Sequence, residues 1–157
     1  MKKVIKLLSL FIGIVFISGC SMPLVGQKVT KCTLDNDQSK SGYKIKSTYN
    51  IYYKNDIVYK VNTQEVLTSE NTTILKYFED LNKKQYEAQN NNYGGYTYNI
   101  KADKNILTTT VTIDYDKMNL EKFIKDNSAM KSYVNENNKI TLKGAKQMYK
   151  SLGAKCQ

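Results

Sequence analysis

The segment Ile106–Tyr115 constrains the fold more than any other stretch of this chain, because its side chains alternate in character. One side carries apolar residues and a single threonine, namely Leu107, Thr109, Val111, Ile113 and Tyr115. The other side carries Ile106, three further threonines and Asp114. Successive side chains of a strand point to opposite faces of the sheet. The pattern therefore predicts a strand in an antiparallel sheet with one covered face.

Four further segments are predicted to be strands because they are rich in β-branched and aromatic residues or alternate in polarity. They are Val29–Leu34, Tyr43–Tyr53, Ile57–Leu67 and Tyr96–Lys101. A tight turn at Lys54-Asn55-Asp56 joins the second of them to the third and predicts a hairpin.

Apolar residues at helical spacing predict a long helix that starts near Ser69 and ends in Asn90-Asn91-Asn92, before two glycines. The residues on its apolar face are Ile74, Leu75, Phe78, Leu81 and Tyr86. A short helix over 120–125 follows Asn119 as its cap, and residues 128–133 extend it or form a separate turn. A last helix, 142–152, follows Thr141 as its cap and is stopped by Gly153. Its predicted buried face carries Leu142, Ala145, Met148, Tyr149 and Leu152.

These elements predict a single α+β domain over residues 29–157. We expect an antiparallel sheet of about five strands with two or three helices packed on one face. The chain has 157 residues, and the part after the first 19 is long enough to bury a core of its own.

The first 20 residues have the features of a bacterial lipoprotein signal. Three lysines precede an apolar run, Leu7–Ile17, and the small pair Ser18-Gly19 precedes Cys20. The apolar run is shorter than the roughly 20 residues that a membrane-spanning helix needs. We therefore predict a signal peptide over 1–19, lipidation of Cys20 by a diacylglyceryl group and a fatty acid such as palmitate, and a tether over 20–28. The domain would then lie on the outer face of a membrane in the cell envelope.

Two other cysteines, Cys32 and Cys156, lie near the two ends of the predicted domain. Outside the cytoplasm such a pair usually forms a disulfide, and this one would tie the end of the chain to the first strand. A reduced pair or a redox couple are the alternatives, although the spacing is unlike the Cys-X-X-Cys motif of oxidoreductases.

Composition argues against several classes of function. The chain has no histidine, so it has no serine–histidine or cysteine–histidine nucleophile and no histidine metal site. Phosphate-binding and dinucleotide-binding glycine motifs are missing as well, and we expect neither a cofactor nor a metal. All 24 basic residues are lysines, although arginine is the residue best suited to phosphate recognition. We therefore expect no nucleic-acid partner.

The formal net charge of +10 falls to +7 when the three leader lysines are removed. An anionic polymer of the envelope, or an envelope protein, would be attracted to such a surface. A solvated lysine-rich surface without a specific partner is the plainer interpretation.

Three sets of residues are candidates for a site. Asp114 and Asp116 would project from the same side of a strand end, as an acid pair or half of a cation site; the structural alternative is that Asp116 caps a turn and Asp114 is solvated. Ser128 and Lys131 have the Ser-X-X-Lys spacing of penicillin-binding enzymes, which chance also produces. The predicted ligand surface is aromatic and consists of Tyr49, Tyr53, Tyr96 and Tyr98. Packing of these rings beneath a helix is the structural alternative.

The order of elements resembles the YehR-like group of small bacterial lipoproteins, whose function is unknown. The resemblance rests on the lipobox cysteine and on four segments: Lys31-Cys32-Thr33-Leu34, Val111–Asp116, Ile140-Thr141-Leu142 and Gly153-Ala154-Lys155-Cys156. It implies an α+β domain on a lipid anchor and supplies no catalytic residues. The disulfide between Cys32 and Cys156 is predicted from the residues of this chain and is not implied by the resemblance.

These observations predict a non-enzymatic, lipid-anchored envelope protein that binds a partner or ligand through its sheet. The alternative is an accessory subunit that holds a small molecule for a membrane transporter. A hydrolase that uses acidic residues is a third hypothesis, weakened by the lack of a convincing carboxylate pair.

Overall fold

The computed structural model describes residues 26–157. It contains six strands: β1 (Lys28–Gln38), β2 (Tyr43–Lys54), β3 (Ile57–Thr68), β4 (Tyr96–Asp103), β5 (Ile106–Asp114) and β6 (Lys155–Cys156). Its three α-helices are α1 (Thr72–Tyr93), α2 (Leu120–Asp126) and α3 (Leu142–Ser151), and two 3₁₀ segments cover Ser39–Ser41 and Ser128–Tyr133. The predicted α+β fold is confirmed, with one strand more than expected.

All six strands belong to one sheet in the order β4-β5-β3-β2-β1-β6, and every neighbouring pair is antiparallel. The predicted hairpin is present, and its turn residues Asn55 and Asp56 have φ values of 49° and 61°. Left-handed conformations at both positions match the right-handed twist of the two strands that the turn joins. The extra strand, β6, pairs with only two residues of β1, Cys32 and Thr33.

The helices cover one face of the sheet. Asn82 of α1 donates to Thr109 of β5, and Tyr149 of α3 stacks on Tyr49 of β2. Leu107, Thr109 and Val111 are all buried on this covered face, as the alternation in β5 predicts. The opposite face of the sheet is formed by the threonine-rich side of β5 and its neighbours.

A polar layer divides the core beneath the helices into two apolar clusters. The smaller cluster centres on Leu67, Leu75 and Leu107, and the larger one includes Tyr49, Ile51, Val61, Val111 and Tyr149. Between them the strand register aligns Ser47 with Glu65 and Glu65 with Thr109, and Asn82 lies above Thr109. The layer is held together by hydrogen bonds between side chains, which offset part of the cost of burial.

Helix α1 starts and packs differently from the prediction. Asn71, rather than Ser69, caps it, because the Asn71 side chain accepts a hydrogen bond from Thr73 N at 2.9 Å. Ser69 is buried and donates its hydroxyl to Gly42 O at 2.7 Å, which fastens the end of β3 to the start of β2. Leu81, expected on the buried face, is 41% exposed, and Asn82 occupies the buried position instead.

Helix α3 ends at Ser151, one residue before the predicted end. Leu152, predicted to pack on the buried face, is 60% exposed because it lies in the turn that leads to β6. No helix among residues 26–157 is long and apolar enough to cross a membrane.

Candidate functional site

The first turn of α3 is fixed by backbone contacts on two sides. Thr141 caps the helix by accepting a hydrogen bond from Gly144 N at 2.9 Å, as predicted. Leu142 N donates to Asp56 O at 2.8 Å, so the helix starts against the β2–β3 turn. On the other side Gly144 lies against Tyr133, whose carbonyl oxygen would be 2.1 Å from any Cβ at position 144. Only glycine fits this approach, and the orientation of α3 is therefore set by its surroundings.

Three lysines of α3 share one face of the helix. Lys143, Lys146 and Lys150 are spaced at i, i+3 and i+7, which places them in one row. With Gln147 they line an open cleft of about 580 Å³, whose remaining lining residues are Asp56, Thr141 and Leu142. We call this region the α3 lysine cleft. Its lining contains three ammonium groups and one carboxylate.

None of the lysines of the α3 lysine cleft forms an ion pair with an Asp or Glu side chain of the described chain. Lys146 Nζ donates to the carbonyl oxygen of Gln157 at 2.7 Å, which holds that side chain along the helix. Lys143 and Lys150 are exposed. Long lysine stems can line an apolar wall while their charged ends stay in water. The cleft thus combines apolar walls with a positive rim that attracts anions.

The polar layer of the core contains a partly buried carboxyl group. Ser47 donates its hydroxyl to Glu65 Oε2 at a long 3.5 Å, and Asn82 Nδ2 donates to Thr109 Oγ1 at 3.0 Å. Burial raises the pKa of Glu65, whereas hydrogen bonds from Asn82 and Ser47 act in the opposite direction. In the described part of the chain no group of three or more potential ligands could hold a metal. The layer links the helix to three strands, and this structural role accounts for its contacts.

The four tyrosines predicted as a ligand surface do not form one. Tyr49 and Tyr96 are each only 9% exposed, so the prediction is wrong for both. The reason is that they lie on the covered face of the sheet, where Tyr49 stacks on Tyr149 with ring centroids 4.2 Å apart. Tyr53 and Tyr98 are partly buried against the same core. The rings act chiefly as packing groups, which was the structural alternative.

Burial also controls the chemistry of these phenols. It raises the pKa of Tyr96 to about 12, and it raises the pKa of Tyr86 to about 12 as well. Tyr98 lies nearer the surface and donates its hydroxyl to Glu87 Oε1 at 3.1 Å. A phenol with a pKa near 12 stays protonated at neutral pH, so neither Tyr86 nor Tyr96 is suited to act as a base.

Asp114 and Asp116 do not form an acid pair. Asp114 Oδ2 lies 3.0 Å from Lys117 Nζ, and Asp114 Oδ1 accepts a hydrogen bond from Asp116 N at 3.2 Å. Asp114 is therefore the residue that caps the turn after β5, a role that was predicted for Asp116. As predicted, Asn119 caps α2, and its side chain accepts from Lys122 N at 3.0 Å.

The Ser-X-X-Lys pair and the cysteines are the remaining candidate residues. Ser128 and Lys131 lie in the 3₁₀ segment Ser128–Tyr133, and no hydrogen bond between their side chains occurs in the part of the chain that the structure describes. Cys32 and Cys156 form a disulfide, as the sequence predicts. Cys20 and the leader lie outside the described residues.

The α3 lysine cleft was not predicted from the sequence. The i, i+3, i+7 spacing of its lysines is readable there, but lysines are so frequent that the row does not stand out. Glu65 was not predicted to be buried either, although it lies two residues before Leu67 and therefore on the same face of β3. A carboxylate on the apolar face of a strand is an unusual pattern that could have indicated this position.

No protein-family model matches this chain, and no curated protein does. Two solved structures are similar to it. The NMR structure of the Escherichia coli YehR protein is 20% identical, with a TM-score of 0.52, and the match covers 83% of this chain and 92% of that one. An NMR structure of a protein from Streptococcus pneumoniae TIGR4 is 16% identical, with a TM-score of 0.47, and covers 83% of this chain and 85% of that one. The first likeness shows that this chain has a YehR-like fold.

Proposed function

We propose that this chain is a lipid-anchored protein of the cell envelope that binds an anionic polymer through the α3 lysine cleft. The observation that carries the proposal is a row of three lysines, none of which pairs with an Asp or Glu side chain within residues 26–157, on a helix whose orientation is fixed. Lys143 and Lys150 are exposed, and Lys146 is bonded to Gln157 O. A repeating row of ammonium groups suits a repeating row of phosphates or carboxylates better than a single small anion. The cleft is open along the helix, which also suits a polymer.

The anchor is supported by the sequence. The small pair Ser18-Gly19 before Cys20 follows a short apolar run that is preceded by three lysines, as in lipoprotein signals. An anchored domain of positive net charge would meet anionic polymers at high local concentration. This combination favours a binding role over catalysis, because neither the α3 lysine cleft nor the polar layer brings two carboxyl groups together.

Binding is tested with the full chain in detergent, a glycerol phosphate polymer as the probe and uncharged dextran as its control. We expect binding to the phosphate polymer that weakens as salt is added, since exposed charges are screened. The triple variant Lys143→Gln, Lys146→Gln, Lys150→Gln should bind about tenfold more weakly. The matched control replaces Lys83, Lys84 and Lys104 by Gln and removes the same charge elsewhere. Equal losses of affinity in the two triple variants would show that binding depends only on net charge, and this would contradict the proposed site.

The anchor is tested separately by the intact mass of the membrane-extracted chain. We expect a mass that lacks residues 1–19 and includes a diacylglyceryl group. An unprocessed chain would refute the anchor without affecting the binding result.

A further inference from the structure

The strand order leaves β4 at one end of the sheet with its outer side free. The hydrogen bond from Asp114 N to Gly95 O, 2.8 Å long, fixes which backbone groups of β4 point towards β5. Along an antiparallel pair of strands, pairs of opposite residues that exchange two backbone hydrogen bonds alternate with pairs that exchange none. In the observed register Thr97, Asn99 and Lys101 therefore bond to β5. The backbone groups of Tyr98, Ile100 and Ala102 point away from the sheet.

These outward groups have no partner among residues 26–157. The first outward donor of the strand, Tyr96 N, is satisfied by Asn90 Oδ1 at 3.2 Å. No other hydrogen bond outside the strand ladders involves the backbone of Tyr98, Ile100 or Ala102. Proteins usually protect such an edge with charged side chains, prolines, bulges or a covering loop. The charged residues of β4 are Lys101 and Asp103, which have opposite signs and do not belong to the outward set. The register of β4 with β5 is unbroken, and β4 has no proline.

We propose that β4 pairs with β4 of a second copy of this chain, antiparallel and about a two-fold axis at Ile100. This interface is isologous, so each residue pair occurs twice or lies on the axis. Three residue pairs then exchange backbone hydrogen bonds: Ile100 with its copy, and Tyr98 with Ala102 in both directions. The two sheets become one continuous sheet across the interface.

The side chains of β4 are complementary in this register. On the covered face the large Tyr98 lies opposite the small Ala102, and the two β-branched Ile100 side chains meet at the axis. On the open face Asn99 lies opposite Lys101, and Thr97 lies opposite Asp103. No two like charges are directly opposed, which would weaken pairing.

The opposite edge of the sheet does not offer the same match. β6 covers β1 at Cys32 and Thr33, and Gln157 N donates to Lys31 O at 3.0 Å. The outward residues of β1 that β6 leaves uncovered are Val29 at the start of the strand and Asp35 and Asp37 at its end. The charges of the two aspartates disfavour a second strand along the longer uncovered stretch. Self-pairing is therefore assigned to the β4 edge.

The strand interface is short compared with the roughly 1,600 Å² that a standard stable interface buries. We therefore expect a weak, concentration-dependent dimer that becomes more populated when copies are held together on one surface. The inference does not depend on the α3 lysine cleft or on its ligand.

The test is sedimentation equilibrium of the full chain in detergent over a range of concentrations. We expect a monomer–dimer equilibrium for the wild-type chain. Ala102→Pro removes an outward N–H at no cost to the β5 ladder and should raise the dimer dissociation constant about tenfold. Asp35→Pro removes an outward N–H at the β1 edge and should leave that constant unchanged.

A second variant tests the same register without altering the backbone. Asn99→Lys opposes two lysines across the proposed axis and should weaken the dimer, whereas Thr110→Lys adds the same charge one strand further in and should weaken it less. A wild-type chain that stays monomeric at every concentration would overturn the proposed pairing of β4 with a second copy. Equal effects of Asn99→Lys and Thr110→Lys, or of the two proline variants, would overturn the assignment to β4.

Discussion

The two edges of the sheet are built in different ways. At the β1 edge a two-residue strand, β6, is joined to β1 by the Cys32–Cys156 disulfide. At the β4 edge an eight-residue strand presents three residues with free backbone groups. The closed edge combines a covalent bond, two aspartates and the last described residues of the chain. The open edge has a neutral centre. The β1 edge is covered only beside Cys32 and Thr33, and its uncovered end carries two aspartates, whereas the outward residues of β4 are neutral. The proposed association therefore uses β4, while the disulfide stabilises the β1 edge.

The disulfide occupies a position in the sheet that suits it. Gln157 bonds to Lys31 and Lys155 is aligned with Thr33, so Cys32 and Cys156 form the non-hydrogen-bonded pair between them. Side chains of such pairs are closer together than those of bonded pairs. Cys32 is fully buried in the larger apolar cluster. The bridge therefore connects the core directly to the closed edge.

The largest expected effect comes from opening the closed edge. Replacing both cysteines, Cys32→Ala with Cys156→Ala, removes a cross-link between residues 124 apart in sequence. The free energy of unfolding should fall by about 3–5 kcal/mol, mainly because the unfolded chain regains conformational entropy. Urea unfolding followed by circular dichroism measures the change. A loss of less than about 1 kcal/mol would mean that β6 and the core hold this edge without the bridge.

A smaller effect should distinguish the two sides of the open edge. Lys101→Pro removes a donor of the β5 ladder and leaves its acceptor unpaired, so it should cost about 1–3 kcal/mol of unfolding free energy. Ala102→Pro removes an outward donor and should cost clearly less, since proline is tolerated at such edge positions. Both side chains are exposed, so little packing is lost in either variant. Thermal or urea unfolding compares the two, and equal losses would contradict the assigned pairing of β4 with β5.

The smallest effect concerns the charges of the closed edge. Lys44 Nζ lies 2.8 Å from Asp37 Oδ2, and hydrogen bonds from Lys44 and then Ser39 lower the pKa of Asp37 from 3.8 to about 2. A lowered pKa stabilises the fold when the pH is above 3.8, and this contribution disappears as the pH falls towards 2. Asp37→Asn should therefore be slightly less stable than the wild type at neutral pH, and the two should converge in acid.

Because Asp37 is exposed and water screens its ion pair, only a small difference is expected. Asp103→Asn, at the open edge, serves as the control, since Asp103 has no ion pair within the described range of residues. Unfolding midpoints measured from neutral pH down to acid would provide the comparison. A gap between Asp37→Asn and the wild type that persists or widens in acid would contradict the ion pair.

Much of the fold could be predicted because alternation and helical spacing are local properties of the sequence. The strand β5 and the cap Thr141 are examples, since each depends on residues next to it in the chain. The strand β6 could not be predicted, because two residues have no periodicity and become a strand only by pairing with β1. β1 also runs on to Gln38, where Asp35 and Asp37 form ion pairs with lysines of β2 that its own sequence does not reveal.

The candidate site was harder to predict than the fold. Tyrosine occurs both in cores and on exposed surfaces, so the residue type alone does not fix its face. The alternation of Tyr49 with Ile45 and Ile51 in β2 was the signal for a buried position. The lysines of α3 have readable spacing, but their freedom from ion pairs depends on which carboxylates the fold brings near. The cleft itself forms because the fold places Asp56 of the β2–β3 turn beside the start of α3, and these two parts of the chain are far apart in sequence.

The difference between the two edges is tested most directly by amide hydrogen exchange of the full chain in detergent, followed residue by residue by NMR. In dilute samples we expect rapid exchange at Tyr98, Ile100 and Ala102 and slow exchange at the ladder positions Asn99 and Lys101. In concentrated samples the three outward amides should become protected as β4 pairs with its copy. Protection of all five amides in dilute samples, or none gained on concentration, would contradict a free edge that pairs with itself.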